Sequence, residues 1–446
     1  MKLHLISLGC TKNLVDSEII AGQTALAGFS YTSNINEADV IILNTCAFIS
    51  SAKKEAYQYI KKIVSVISSK SLKNSKSQKP IFIVSGCLPQ IEKSNLLKKF
   101  PQIDFVFGVD QFIKIPTVIS SVLKSYRLSN QNKKVFVQQP KYLYSNSVPR
   151  IVSTPKSYAY IKIADGCDNR CSYCLIPTIR GQYRERPIED IVREAEKLVS
   201  LGVKELILIS QDTTFYGMKI YKQQMLHHLL KKLAQIKDLY WIRILYTNPK
   251  HFYPELIKTI SETEKVCKYI DIPIQHTNDK ILKLMNRTSR KQIFDTIEKL
   301  KTYIPNITLR TTIMVGFPTE TEKVFNQLLT DITNLEFDWL GCFEYSKEPK
   351  TAAAKLNNHI PKKIKSLRFD KVMQTQQKIT FKKNMSRVGK IYPTIVDEKN
   401  FGHTEFQSPE IDGKIIFEKL NNNSNLVIKT KIVSISKVYD LVAQPL

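Results

Sequence analysis

Cysteine, long apolar runs and negative charge are all scarce in this 446-residue chain. Eight cysteines are too few for a disulfide scaffold, and a reducing compartment would not support one. No stretch approaches the ~18 uninterrupted apolar residues of a membrane span, so no membrane association is expected. The opening segment, Met1 to Cys10, is apolar for too short a distance to be a signal peptide, and Lys12 interrupts it, which makes a cytoplasmic protein the expectation. Acidic residues number 40 against 67 basic ones, a net charge of +27. The excess lies equally in residues 1–152 and 153–380, while residues 381–446 are close to neutral. Such a balance favours contact with RNA or a ribonucleoprotein through counterion release; the plainer alternative is a solvated lysine-rich surface. Apolar residues at 43% and charged residues at 24% are ordinary for a globular protein and exclude a wholly disordered or collagen-like chain.

What is present is concentrated around the cysteines. Four of the eight follow glycine, in Gly9-Cys10, Gly86-Cys87, Gly166-Cys167 and Gly341-Cys342. Chance predicts about a quarter of one such pair, and glycine before a ligand lets the backbone turn sharply or crowd a cofactor. The length suggests three domains. In the first, residues 1–138, short β-branched runs (Leu3–Leu8, Val40–Leu43, Ile81–Val84, Asp104–Phe107) alternate with helical stretches. One of these, Ser17–Ala27, follows Asp16 as its N-cap; another is Ser51–Ser68. Ser68–Lys79 reads as a solvated loop. The pattern is βαβ and predicts an open parallel α/β sheet. Residues 138–157, with Pro140, Pro149 and Pro155, read as a linker.

A second βα series occupies 153–380, with strands at Ala159–Ile163, Glu205–Ile209, Trp241–Leu245, Tyr269–Ile272, Thr308–Val315 and Leu340–Tyr345. Six units predict a partial (βα)6 barrel, short of the eight that close one. Residues 381–446 change character again. Strands at Ile391–Val396, Ile415–Phe417, Leu426–Ile428 and Lys431–Val438, separated by Asp397–Gly402 and Asn421–Asn425, predict a small all-β barrel.

Cys167, Cys171 and Cys174 form CxxxCxxC directly after the first barrel strand. Three thiolates at this spacing suit an iron–sulfur cluster, since soft sulfur suits iron. Zinc is the rival, but structural zinc wants four ligands, and 151–226 holds no histidine and no fourth cysteine. Cys10, Cys46 and Cys87 each stand just beyond a predicted strand. In an open parallel sheet the carboxyl ends line one edge, where ligands bind, so these three point to a second cluster; unrelated core packing is the alternative. Cys267 and Cys342 read as packing residues.

CxxxCxxC with Tyr173 before its last cysteine, at the first strand of a partial barrel, resembles the radical S-adenosylmethionine (SAM) enzymes. With three N-terminal cysteines and a terminal TRAM-like β-barrel, the whole chain resembles the methylthiotransferases. Ser7-Leu8-Gly9-Cys10-Thr11-Lys12-Asn13, Asn44-Thr45-Cys46-Ala47-Phe48-Ile49, Ser210-Gln211-Asp212-Thr213-Thr214 and Pro409-Glu410-Ile411-Asp412-Gly413 are similar to the RimO type. The tRNA-modifying MiaB type usually reads Gln-Met-Asn after its first cysteine, unlike this chain. The resemblance implies two [4Fe-4S] clusters, one at Cys167, Cys171 and Cys174 that cleaves SAM to a radical, and one at Cys10, Cys46 and Cys87 that carries or delivers sulfur. A second SAM would give the methyl group. The implied target is the β-carbon of an aspartate in ribosomal protein S-twelve, met on the small ribosomal subunit with contact to rRNA, and the reaction needs a one-electron donor that the sequence does not identify.

Gln211, Gln275 and Arg310 lie at or near barrel strand ends, where side chains are functional, and together with Tyr173 they are expected to contact SAM. Val315-Gly316-Phe317-Pro318 is a turn against which an adenine could stack. Structural hydrogen bonding is the alternative for each, and His276 could equally be a core residue. Arg180, Arg184 and Arg186 could clamp carboxylates or phosphates, or form a solvated face. A chain of +27 should not be drawn to an isolated basic ribosomal protein. Docking on rRNA resolves this, and so would an acidic face built from Glu405, Glu410, Asp412 and Glu418; the first is preferred. The competing functions are a tRNA adenosine methylthiotransferase and a non-enzymatic metal-containing RNA-binding protein.

Overall fold

The computed structural model describes residues 1–73, 79–125, 134–418, 420 and 426–446. Asn421–Asn425 therefore lies outside the described residues. The chain divides into two compact units. The first comprises 1–153 with 164–169 and 174–186; the second comprises 154–163, 170–173 and 187–446.

In the first unit, β1 (Lys2–Ser7), α1 (Thr11–Leu26), β2 (Ser30–Tyr31), β3 (Val40–Thr45), α2 (Ser50–Lys73), β4 (Ile81–Gly86), α3 (Cys87–Glu92), α4 (Asn95–Lys99), β5 (Phe105–Phe107), α5 (Ile115–Ser125) and β6 (Lys134–Phe136) follow in order. The strands form one parallel sheet in the order β2-β1-β3-β4-β5-β6. β3 and β4 are buried along their whole length, which is why they read as unbroken apolar runs. Two expectations need correction. Helix α1 begins at Thr11, and its N-cap is Cys10 with no side-chain cap. Asp16 instead sits buried inside the helix, because its carboxylate accepts a hydrogen bond from the buried Arg180 guanidinium. Helix α2 also continues past Ser68 into the segment expected as loop.

The stretch expected as a linker has no strand or helix from 138 to 153, yet it is anchored. Arg150 makes a two-pronged ion pair with Glu18 (2.7 and 2.9 Å), and Ser153 donates twice to the same carboxylate.

The second unit begins with β7 (Tyr158–Lys162). The chain then leaves it for β8 (Ala164–Asp165), α6 (Ile176–Arg180) and β9 (Arg184–Glu185), which belong to the first unit. It continues with α7 (Ile188–Ser200), β10 (Glu205–Ile209), α8 (Leu226–Ala234), β11 (Trp241–Ile244), α9 (Pro254–Glu262), β12 (Val266–Asp271), α10 (Asp279–Leu284), α11 (Arg290–Tyr303), β13 (Thr308–Val315), α12 (Glu322–Leu335), β14 (Trp339–Glu344) and α13 (Lys362–Met385). The six strands form an all-parallel sheet in the order β14-β13-β12-β11-β10-β7, the expected partial barrel. In β13 burial alternates along Arg310, Thr312 and Met314, which are half-buried, and Thr311, Ile313 and Val315, which are buried. That period of two separates a lumen face from a helix-covered face.

Strands β15 (Ile391–Glu398), β16 (Phe401–Thr404), β17 (Ile415–Phe417), β18 (Val427–Ser436) and β19 (Asp440–Pro445) close into a barrel. The sequence suggested four strands. The structure fuses the last two of those into β18 and adds β16 and β19. Among the described residues no helix is long and apolar enough to cross a membrane.

Candidate functional site

Three neighbouring parallel strands of the first unit each deliver a cysteine. Cys10 follows β1 as the N-cap of α1, Cys46 follows β3, and Cys87 opens α3 directly after β4. The strand ends are locked in register by polar side chains. Asn44 donates to the Ser17 hydroxyl (2.8 Å) and to the Asn13 carbonyl (3.0 Å), and Thr45 donates to the Ser85 carbonyl (2.6 Å). Gly9, with φ +93°, carries the chain so close to Cys46 that a Cβ there would lie 2.3 Å from the Cys46 Cβ. Cys10 is exposed, whereas Cys46 and Cys87 are buried. Burial pushes the Cys87 thiol up to about 12, opposed by the nearby Arg180 cation. Burial, and then the neighbouring Cys10, raise Cys46.

Soft thiol donors on three separate strands, beside a buried guanidinium, fit an iron–sulfur cluster better than a hard cation. Among the described residues, no three His, Cys, Asp or Glu side chains converge to hold a single metal ion.

Of the CxxxCxxC cysteines, Cys167 and Cys174 belong to the first unit and Cys171 to the second. All three are half-buried and none is in a disulfide. In the first unit, the Cys167 amide donates to the Gly181 carbonyl (3.2 Å), and the Ile176 amide donates to the Cys174 sulfur (3.4 Å). In the second unit, Ser172 is pinned by backbone bonds to Met285 and Ala353. Tyr173 packs against the cluster of Ile281, Met285, Phe317, Tyr345 and Ala353. Arg287 hydrogen-bonds the Cys171 side chain. Sequence reasoning missed Arg287, since nothing local marks an arginine 116 positions away as a sulfur donor.

The three arginines after CxxxCxxC do not form a solvated face. Arg180 clamps the carboxylates of Asp16 (2.6 Å) and Asp165 (3.1 Å). Arg184 donates to the carbonyls of Pro140, Arg180 and Gln182. Arg186 lies over the Tyr144 ring at 4.4 Å.

In the barrel, Gln211 comes two residues after β10 and is half-buried. Gln275 is half-buried with φ +70°, and its backbone bridges to β13 through the Thr312 carbonyl and the Met314 amide. A left-handed non-glycine residue at a strand mouth is the kind of strain that accumulates at functional sites. Arg310 sits lower. Its guanidinium is held by Asp271 (2.8 Å) and Asp412 (3.3 Å), and Asp412 also accepts from the Tyr269 hydroxyl (2.6 Å). His276 is buried, with Nδ1 accepting from the Thr277 and Asn278 amides. Burial, with help from Arg368, lowers it to about 3, so it is a neutral core residue. Behind the Gly316–Phe317 turn, Glu320 accepts from both backbone amides and from Arg368 (3.0 Å).

Only part of the acidic face considered for the last barrel is available: Glu410 and Glu418 are exposed, whereas Glu405 and Asp412 are half-buried. Glu405 accepts from the Lys268 amide, Glu410 from the Tyr160 hydroxyl, and Asp412 from the Tyr269 hydroxyl while pairing ionically with Arg310. Glu405 and Asp412 face the barrel because buried donors there would otherwise go unsatisfied.

Comparison with known proteins agrees with this geometry. Residues 161–332 match the Radical SAM superfamily, and residues 2–108 match the Uncharacterized protein family UPF0004. A ribosomal protein uS12 methylthiotransferase RimO of Caldicellulosiruptor saccharolyticus is 43% identical over 100% of this chain and 99% of its own. The RimO of Clostridioides difficile is 41% identical over 95% of this chain and 94% of its own. The chain belongs to the RimO family. The fold of the radical SAM methyltransferase TsrM from Kitasatospora setae is similar, with a TM-score of 0.55 at 14% identity, covering 76% of this chain and 72% of that one. RimO proteins are radical SAM methylthiotransferases, and membership of that superfamily brings SAM and a [4Fe-4S] cluster.

Proposed function

We propose that this RimO-family chain adds a methylthio group to the β-carbon of an aspartate in ribosomal protein uS12, giving 3-methylthioaspartate. The observation that carries the reading is the convergence of Cys10, Cys46 and Cys87 at one sheet edge, in a chain that matches its RimO relatives from end to end. A radical SAM enzyme that only cleaved SAM would have no use for that second thiol trio. Cys167, Cys171 and Cys174 hold one [4Fe-4S] cluster, and Cys10, Cys46 and Cys87 hold a second. When bound, the clusters would pass on an electron from an external one-electron donor and provide the sulfur, and SAM would provide the 5′-deoxyadenosyl radical and the methyl group.

The chain's own residues bind, aim and shield. Arg287 and the Ile176 amide donate to Cys171 and Cys174, which offsets thiolate charge in a half-buried loop. Gln211, Gln275 and Tyr173 present amide and aromatic groups to SAM. Arg310 contributes from the lumen wall, its orientation fixed by Asp271 and Asp412. The setting is cytoplasmic, and the basic surface docks on rRNA of the small subunit.

Anaerobic incubation with SAM, dithionite and small subunits tests the reading. A uS12 peptide heavier by CH2S at its aspartate supports it. An unchanged uS12 with a modified tRNA adenosine sinks it in favour of the tRNA reading. Equal rates on free uS12 and on subunits at physiological salt would remove the rRNA contact.

A further inference from the structure

Arg180 is a buried cation that the proposed chemistry leaves without a task. It lies at the end of α6, six residues after Cys174, and is 2% exposed. Its two terminal nitrogens have different partners. Nη1 is held by Asp16 at 2.6 Å and by Asp165 at 3.1 Å. Nη2 faces the Asn13 side-chain oxygen at 3.5 Å and the Cys87 sulfur at 3.8 Å. Because the guanidinium is a planar fork, fixing Nη1 between two carboxylates sets the direction of Nη2. Asn13 is fixed in turn, since its own amide donates to the Leu8 carbonyl at 2.6 Å.

Two buried carboxylates already outweigh the single positive charge, so the arginine adds no net positive charge to this corner. What it adds is an aimed N–H. We infer that Arg180 is a positioning residue whose Nη2–H is directed at the Cys87 sulfur, so that the cluster held by Cys10, Cys46 and Cys87 carries a hydrogen bond to one of its ligands. The inference rests on the reading of those three cysteines as cluster ligands. A hydrogen bond to a ligating sulfur draws electron density from it and stabilises the form that has gained one electron, which raises the reduction potential. The CxxxCxxC segment thus tunes a cluster whose ligands all come from elsewhere in the chain.

The test uses full-length protein reconstituted anaerobically with iron and sulfide. Its redox titration is followed by electron paramagnetic resonance, and the signal missing from C87A is assigned to the N-terminal cluster. Two variants are compared with wild type. R180K keeps the charge but not the fork, and R180M/D16N removes one charge of each sign and so keeps the local balance. The expected result is wild-type iron and sulfide content with a more negative midpoint for the Cys87-dependent signal in both variants, and no shift in the other signal. Loss of the Cys87-dependent signal alone, with the other intact, also supports the assignment, because an unaimed Cys87 then fails as a ligand. An unchanged midpoint at full iron content overturns the inference. So does unfolding of both variants, which makes Arg180 a structural clamp only. Wild-type protein holding a single cluster's iron overturns the cluster reading itself, a result distinguishable from the others by metal content.

Discussion

His403 offers a quantitative test of how the last barrel is joined to the radical SAM core. Both ring nitrogens face carboxylates, Nδ1 at 2.8 Å from Asp397 and Nε2 at 2.7 Å from Glu205. Glu205 is also held by Arg243 (2.6 Å), and Asp397 by Ser157 (2.6 Å). Burial alone would lower the imidazole, but Asp397 and Glu205 outweigh it and raise it from 6.5 to about 9. The sign follows. Below about pH 6.5 the ring is charged whether folded or unfolded, and its contribution is complete. Between there and about pH 9 the unfolded ring sheds a proton that the folded ring keeps. Stability therefore falls by about 1.4 kcal/mol per pH unit, about 3 kcal/mol in all.

Both tryptophans of the chain report on this joint. The Trp241 ring is 6.0 Å from His403, and the Trp339 indole donates to the Phe406 carbonyl at 2.7 Å. Urea denaturation followed by tryptophan fluorescence from pH 6 to 9.5 should thus show a midpoint falling steadily across that window. In H403Q the fall should vanish, with stability at pH 7 lower by about 3–5 kcal/mol because a buried ion cluster has lost a member. A wild-type midpoint flat across the window, or the same slope in H403Q, would refute the doubly protonated joint.

Other perturbations address the thiol sites and the core. Gly9→Ala places a Cβ 2.3 Å from that of Cys46 at a φ of +93°, a conformation costing an L-residue about 1–2 kcal/mol before the clash is counted; iron analysis should find one cluster's iron missing. Cys171→Ser should abolish SAM cleavage measured by chromatography of 5′-deoxyadenosine. Cys87→Ser should keep that cleavage yet yield no methylthiolated peptide, and a modified peptide from Cys87→Ser would contradict the division of labour. Arg368→Met leaves the buried Glu320 carboxylate without its cation and should lower stability by about 3–5 kcal/mol. Calorimetry should show E320Q/R368M recovering part of that loss.

The cysteine geometry was legible because it is local. An apolar β-branched run followed by Cys10, by Thr45-Cys46 or by Gly86-Cys87 states both the strand and the turn that ends it, and adjacency of β1, β3 and β4 then follows from parallel topology. Gly9, Gly86 and Gly166 do adopt positive φ, as the excess of Gly-Cys pairs suggested. Gly341 does not; it lies within β14, where a Cβ would stand 3.4 Å from Arg310. Two of the misreadings share one cause. Asp16 has the chemistry of an N-cap, but its partner Arg180 is 164 positions away. Strand β16 falls in a stretch with turn-like residues, and it carries His403, whose partner Glu205 is 198 positions away. Local propensity cannot register a buried ion pair whose halves come from different elements.

Surface charge is subject to the same limit, because a residue count does not say which carboxylates are already paired. Counting residues makes the C-terminal segment nearly neutral and allows it an acidic face. The structure turns Glu405 and Asp412 inward, onto the Lys268 amide, Tyr269 and Arg310, and leaves Glu410 and Glu418 exposed. Carboxylates consumed in this way still neutralise the molecule at long range, but they offer no surface to a basic polypeptide. A lysine-rich exterior with only two of those four carboxylates exposed is complementary to phosphate, and ordering at an RNA surface would be driven by release of counterions. Under the proposed function, the target aspartate would then be presented by the RNA around it, with the enzyme held by the subunit, and modification of subunits should lose its advantage over free uS12 as salt rises.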